Sequence, residues 1–180
     1  ILGCGSSGGV PRIGNDWGKC NPLNPKNHRS RCSLLIQKKG ENGVTNILID
    51  SGPDIRLQLL GAKIGKLDAV IYTHYHADHI SGIDDLRMVA INVRNLIPVW
   101  ADTKTSKKLK SSYSYIFNTP KGSKYPPILK LNEINETIRI QGSGGIIEIK
   151  PLEVNHGEIN ALGFKIQKVA YIPDVLEIPQ

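Results

Sequence analysis

Residues 72–82 read YTHYHADHISG, which sets His74, His76, Asp78 and His79 within six positions of a chain that holds five histidines in all. Imidazole and carboxylate are the ligands that borderline divalent metals favour. His74 and His76 stand two apart, so both can point the same way as a strand leaves its sheet. Asp78 and His79 follow one turn later and can face a neighbouring point. One cation would account for part of this crowding; two cations sharing a bridging water would account for all of it. A histidine-rich loop with no metal fits poorly, because four potential ligands in six residues are bounded by a strand and by the glycine turn ISG.

The elements that must position these side chains can be read on either side. The cluster begins where DAVIYT (68–73) ends, a run that reads as a short buried strand, and strand ends are where loops are free to carry chemistry. Ile1-Leu2 leads into the glycine-rich GCGSSGGVP, and 11–31 is irregular. Apolar runs at 32–38 and 44–50 flank a glycine turn and predict a hairpin. Residues 54–61 have helical spacing, with Asp54 as the expected N-cap. Downstream, 83–93 is helical by period, 98–101 a strand, 102–117 a basic helix and 118–127 a loop. The last third predicts strands at 137–140, 146–154, 162–167 and 169–172. This order implies an α/β sandwich, sheets within and helices outside, as a single domain over 1–180.

Composition narrows the class. Hydrophobic residues make up 39% and charged residues 22%, near ordinary folded values. No apolar run approaches the roughly 18–20 residues that cross a bilayer, so no membrane partner is expected. The chain opens on Ile1 rather than methionine, and nothing argues for a removed leader. Cys4, Cys20 and Cys32 have irregular spacing and an odd count, which reads as reduced thiols in a cytoplasmic protein. Cys32 opens an apolar stretch and reads as core; Cys20 with His28 is a weaker candidate for a structural metal. The net charge is +7. Lys38, Lys39, Lys104, Lys107, Lys108 and Lys110 read first as solvated faces, and alternatively as a field drawing in phosphate esters or RNA.

HYHADH also resembles the H-x-H-x-D-H signature of the metallo-β-lactamase superfamily at every motif position, and the resemblance extends over essentially the whole chain. It implies a four-layer αβ/βα sandwich, with the C-terminal part of that fold missing from this chain. It implies a first metal site of His74, His76 and His156 and a second of Asp78, His79 and Asp174, with Asp174 bridging. A further histidine of the second site would lie beyond Gln180. ILIDSGPD resembles the family's strand ending in an aspartate-glycine turn, which makes Asp50 the carboxylate that orients a ligand imidazole.

His79 after the aspartate, and cysteines that all lie far upstream, argue against antibiotic hydrolysis. ILGCGSSGGVPRIGNDWGKCNP and HADHISGIDDLR resemble the phosphoribosyl 1,2-cyclic phosphate phosphodiesterase group. That resemblance implies two divalent ions, zinc or manganese, and a small cyclic phosphate or nucleotide-type ester as substrate. Asp78 and His156 would be the catalytic residues, with the proton for the leaving oxygen coming from His156 or the downstream histidine. An RNA-processing nuclease of the same superfamily is the alternative; nucleic acid is less favoured, since no long tRNA-binding arm is evident. A non-catalytic metal- or nucleotide-binding module is the reading from another class. A homodimer is compatible with all three. Backbone amides of Gly3–Gly9, the guanidinium groups of Arg12, Arg29, Arg31 and Arg87, and the rings of Trp17 and Tyr75 are further candidates for substrate contact.

Overall fold

Residues 47–49 (ILI) and 69–71 (AVI) are apolar at every position, as expected of strand segments covered on both faces. In the computed structural model, which describes residues 1–178, that is where they lie. Strands β1 (Leu34–Gly40) and β2 (Gly43–Ile49) form the antiparallel hairpin, with Leu34 opposite Ile49. Strands β3 (Ala69–Ile71), β4 (Ile97–Ala101) and β5 (Leu129–Glu133) then add in parallel, giving the order β1-β2-β3-β4-β5.

Alternation along these strands builds two cores. Leu48, Val70, Tyr72 and Val99 face a helical layer, while Ile47, Ile49, Ala69 and Ile71 face a second sheet. The helical layer contains α1 (Ile55–Gly61), α2 (Ala77–Ile80), α3 (Leu86–Val93), α4 (Thr103–Ser112) and α5 (Ser114–Phe117). Each contributes apolar side chains to the first core, among them Ile55, Ile80, Leu86, Leu109 and Ile116.

The second sheet is antiparallel, ordered β6 (Ile138–Gly142), β7 (Gly145–His156), β8 (Ile159–Ile166), β9 (Val169–Tyr171). Ile138 and Ile140 point inward while Arg139 and Gln141 are exposed, the in–out alternation of a sheet with one solvated face. The described residues thus form three layers: helices, mixed sheet and antiparallel sheet. A lysine-bearing helix behaves as its composition suggests, for α4 buries Leu109 and leaves Lys104, Lys107, Lys108 and Lys110 exposed.

Several elements differ from the sequence expectation. The basic helix of 102–117 is two helices, broken at Tyr113, whose backbone leaves the helical region at φ −132°. The helical periodicity from residue 83 begins as a 3₁₀ turn, Ile83–Asp85, before α3. Strand β5 was not expected; its short alternating run ILKLNE follows a proline-rich loop that masks it. Asp54 stands at the N-cap position of α1 but makes no capping bond. Its carboxylate instead accepts from the Arg31 backbone N–H at 2.8 Å and faces Arg31 Nε at 3.0 Å.

Candidate metal centre

The parallel strands β2 and β3 end side by side, and at their carboxyl ends the chain turns out of the sheet, where open α/β sheets present their sites. After β2 the chain makes the turn Asp50-Ser51-Gly52; after β3 it runs through Thr73 to His76 into α2. The two turns lock together through backbone bonds from Ser51 N to His79 O and from Gly82 N to Ser51 O, both 2.9 Å. A side chain at Gly52 would collide with the Asp78 carbonyl, and one at Gly82 with the Gly52 carbonyl. Only glycine allows that approach.

Asp50 sits at the floor of the centre, fully buried, with a left-handed backbone (φ 61°) that aspartate tolerates better than most residues. Its Oδ1 accepts from the Thr73 N–H at 2.8 Å, and its Oδ2 accepts from Thr73 Oγ1 and from His79 Nδ1, each at 2.8 Å. Thr73 Oγ1 also lies 3.0 Å from His74 Nδ1. The threonine hydroxyl has one proton and gives it to Asp50, so His74 Nδ1 must be the donor in that pair. The lone pair of His74 is therefore on Nε2. That atom is buried and has no hydrogen-bond partner among the described residues. Burial, helped by the neighbouring imidazoles of His79 and His76, pushes the His74 pKa down to about 3, so the ring is neutral.

Two groups of side chains converge around this point. His74, His76, His156 and Asp174 form one, and Asp78, His79 and Asp174 the other, with ligand-type atoms of each group within 4.8 Å of one another. Asp174 Oδ2 belongs to both. It lies 3.1 Å from His79 Nε2, 3.5 Å from His74 Nε2 and 3.6 Å from His156 Nε2. Asp78 Oδ2 is 3.4 Å from His79 Nε2. His156 is the last residue of β7, and Asp174 follows β9, so the second sheet delivers both. The Leu162 N–H, bonded to Thr73 O at 2.9 Å, ties that sheet to the first beside the site.

Burial would by itself push the His79 pKa down, yet bonds to Asp174, Asp50 and Asp78 push it up to about 12. The same bonds from His79 hold the Asp78 and Asp174 carboxyls below their ordinary value against the opposing effect of burial. Three carboxylates around one imidazole, beside a lone pair with nothing to bind, form a donor set suited to divalent cations.

All six residues expected as ligands are brought together. Thr73 was not singled out from the sequence; a threonine closing a strand is too ordinary to carry a signal. Cys20 and His28 belong to neither group. Cys20 Sγ instead accepts from Arg29 at 3.8 Å, and the His28 ring meets Trp17 edge-on. Cys32 is half-buried and donates to Gly5 O rather than filling core. Arg12 and Arg31 line a cleft that reaches Asp78, whereas Arg87 pairs with Asp84. The Tyr75 ring packs edge-on against His76.

The chain is similar to known proteins in sequence and in fold. The family described as "Beta-lactamase superfamily domain" matches residues 45–180. An octanoyltransferase of Porphyromonas gingivalis is 35% identical over 180 residues, 99% of this chain and 35% of that protein. Since the chain spans about a third of its length, that name assigns nothing to the site. A ribonuclease Z of Clostridium kluyveri is 30% identical over 101 residues, 55% of this chain and 27% of the enzyme. A solved structure described as a "New Diphosphatase from the PhnP Family" superposes with a TM-score of 0.79 at 34% identity, covering 94% of this chain and 61% of its own. A family match over three quarters of its length places the chain in the metallo-β-lactamase superfamily, and its likeness to the PhnP-family structure is a likeness within that superfamily.

Proposed function

We propose that the protein is a metal-dependent phosphodiesterase acting on a small cyclic phosphate or nucleotide-type ester. His74, His76 and His156 would hold one divalent cation, Asp78 and His79 a second, and Asp174 both, with zinc or manganese as the ions. The observation that carries this reading is the buried, unpartnered Nε2 of His74, facing Asp174 beside the other imidazoles. A buried polar atom left without a partner costs about 1–3 kcal/mol, which a cation there would remove. When bound, such ions would supply Lewis acidity toward phosphoryl oxygens and lower the pKa of a nearby water.

The protein's own groups do the rest. Asp50 fixes the His79 ring directly and the His74 ring through Thr73, so each group of ligands has one imidazole set by the same buried carboxylate. Ionised Asp78 and Asp174 offset the positive charge of the ions. His156 is partly exposed at the rim; as a ligand of the first cation it would commit its ring to the metal, so the proton for the leaving oxygen falls to another group. The further histidine expected beyond Gln180 lies outside the described residues.

Hydrolysis of bis(p-nitrophenyl) phosphate by protein loaded with zinc or manganese tests this. The expected result is turnover that vanishes with chelator and in His76→Ala and Asp78→Ala. Undiminished turnover in both variants would overturn the reading. A second reading, an RNA nuclease, is favoured by the ribonuclease Z likeness and the net charge of +7. It requires substrate affinity to fall with salt by roughly one log unit per log of salt for each phosphate engaged; a small ester gives a shallow slope. If the full chain carries one metal equivalent or none and hydrolyses neither substrate, it is a binding module.

A further inference from the structure

We propose that Cys4 and Cys32 form a dithiol site that a small-molecule disulfide closes to a protein disulfide. The bond would tie together the two stems of the loop beside the candidate metal centre. Residues 5–31 run between the two cysteines. From that loop, Ser7, Gly8, Arg12 and Arg31 line a cleft together with Asp78. The proposal does not depend on which ester the centre cleaves.

The backbone register brings the two thiols together. Gly3 and Ser33 form an antiparallel bridge and exchange both bonds, Gly3 N to Ser33 O at 3.3 Å and Ser33 N to Gly3 O at 3.2 Å. Gly5 bridges Arg31 in the parallel sense, with its N–H turned to Ser30 O at 2.7 Å. The pairing thus changes sense just past the cysteines, but the residue count is kept. Cys4 and Cys32 are the pair between. In a ladder, the pair next to a hydrogen-bonded one is the close kind, with Cα atoms about 4.5 Å apart. A disulfide spans Cα separations of roughly 4.4–6.8 Å. Cys32 Sγ donates to Gly5 O at 3.4 Å, which lays the thiol against the segment that carries Cys4.

Their surroundings set the order of events. Cys4 is exposed and Cys32 half-buried, and neither is bonded to another cysteine. Burial, with Asp174 adding, pushes the Cys32 thiol above its usual value, so Cys4 meets the oxidant first. With oxidised glutathione, the Cys4 thiolate attacks the S–S bond, a mixed disulfide forms and one glutathione thiolate leaves. Cys32 then gives up its proton and attacks Cys4 Sγ, which expels the second glutathione thiolate. Two electrons pass from the protein thiols to the glutathione disulfide, and the two protons end on the two glutathione thiols. Cys20 stands outside this exchange, its Sγ accepting from Arg29 at 3.8 Å.

The test incubates the zinc-loaded full chain with oxidised glutathione, then titrates thiols after unfolding and maps peptides. The wild type should lose two of its three thiols and yield peptides joined through Cys4 and Cys32, released by a phosphine reductant. Cys20→Ser should form the same bond. Cys32→Ser should stop with a glutathione carried on Cys4, and Cys4→Ser should leave Cys32 reduced. Tryptic cleavage of the folded protein after Lys19 and Lys26, both exposed in the loop, should slow about tenfold on oxidation of the wild type, and in neither of those two variants. A glutathione that persists on wild-type Cys4, a bond that includes Cys20, or cleavage unchanged by oxidation overturns the proposal.

Discussion

Replacing Asp50 with asparagine keeps the size of the buried group but turns one of its two acceptor oxygens into a donor. That donor must then face either the Thr73 N–H or the pair formed by Thr73 Oγ1 and His79 Nδ1. Asp50→Asn is therefore expected to weaken metal binding about 10–100-fold, measured by chelator competition; an unchanged affinity would mean that the imidazoles orient themselves. His79 carries the pH prediction. Its pKa in the fold, about 12 against an ordinary 6.5, means that the fold keeps a proton which the unfolded chain releases. That stabilisation is complete below 6.5 and is lost as pH rises through the folded value. In chelated protein, Tm should fall from about pH 6 to about pH 9, and His79→Gln should flatten the slope. A steeper fall in the variant would reject the assignment. At this scale the sequence was informative where ligand types crowd together, as in HYHADH. His156 and Asp174 could be picked out only through the family resemblance, because each stands alone in its stretch. Thr73 acts through a hydrogen-bond chain, and no local pattern records that.

Between elements, the close approach of two turns sets the geometry. Gly52 and Gly82 let the end of β2 touch the start of α2, so the backbone of Asp78 is placed by contact with a neighbouring strand end. Gly52→Ala should destabilise the fold by about 2–3 kcal/mol in urea titration and reduce metal affinity as well. A stability loss without any change in metal binding would show that the Asp78 loop adapts independently. Strand β3 and the last three residues of β2 were readable because burial on both faces leaves no polar position to break those runs. Their neighbours were less so. Strand β5 is short and follows prolines, and the break at Tyr113, after which α5 buries Ile116, occurs where the sequence has neither glycine nor proline. The pairing of Arg31 with Asp54 was likewise hidden, since a capping residue and an ion-pair partner look alike in sequence.

For the molecule as a whole, the separation of the two sheets matters most. One sheet supplies residues 74–79, the other supplies His156 and Asp174, and the described bond joining them beside the site runs from Leu162 N to Thr73 O. Farther along, Ile47, Ile49, Ile71, Ile147, Ile149 and Phe164 pack between the sheets. Cations shared across that gap would act as rivets through two plates, adding binding energy to the folded state by mass action. Chelation should then quicken amide exchange first along 159–171, while 47–49 and 69–71 stay protected. Equal quickening in both sheets would mean that apolar contact alone keeps the plates closed.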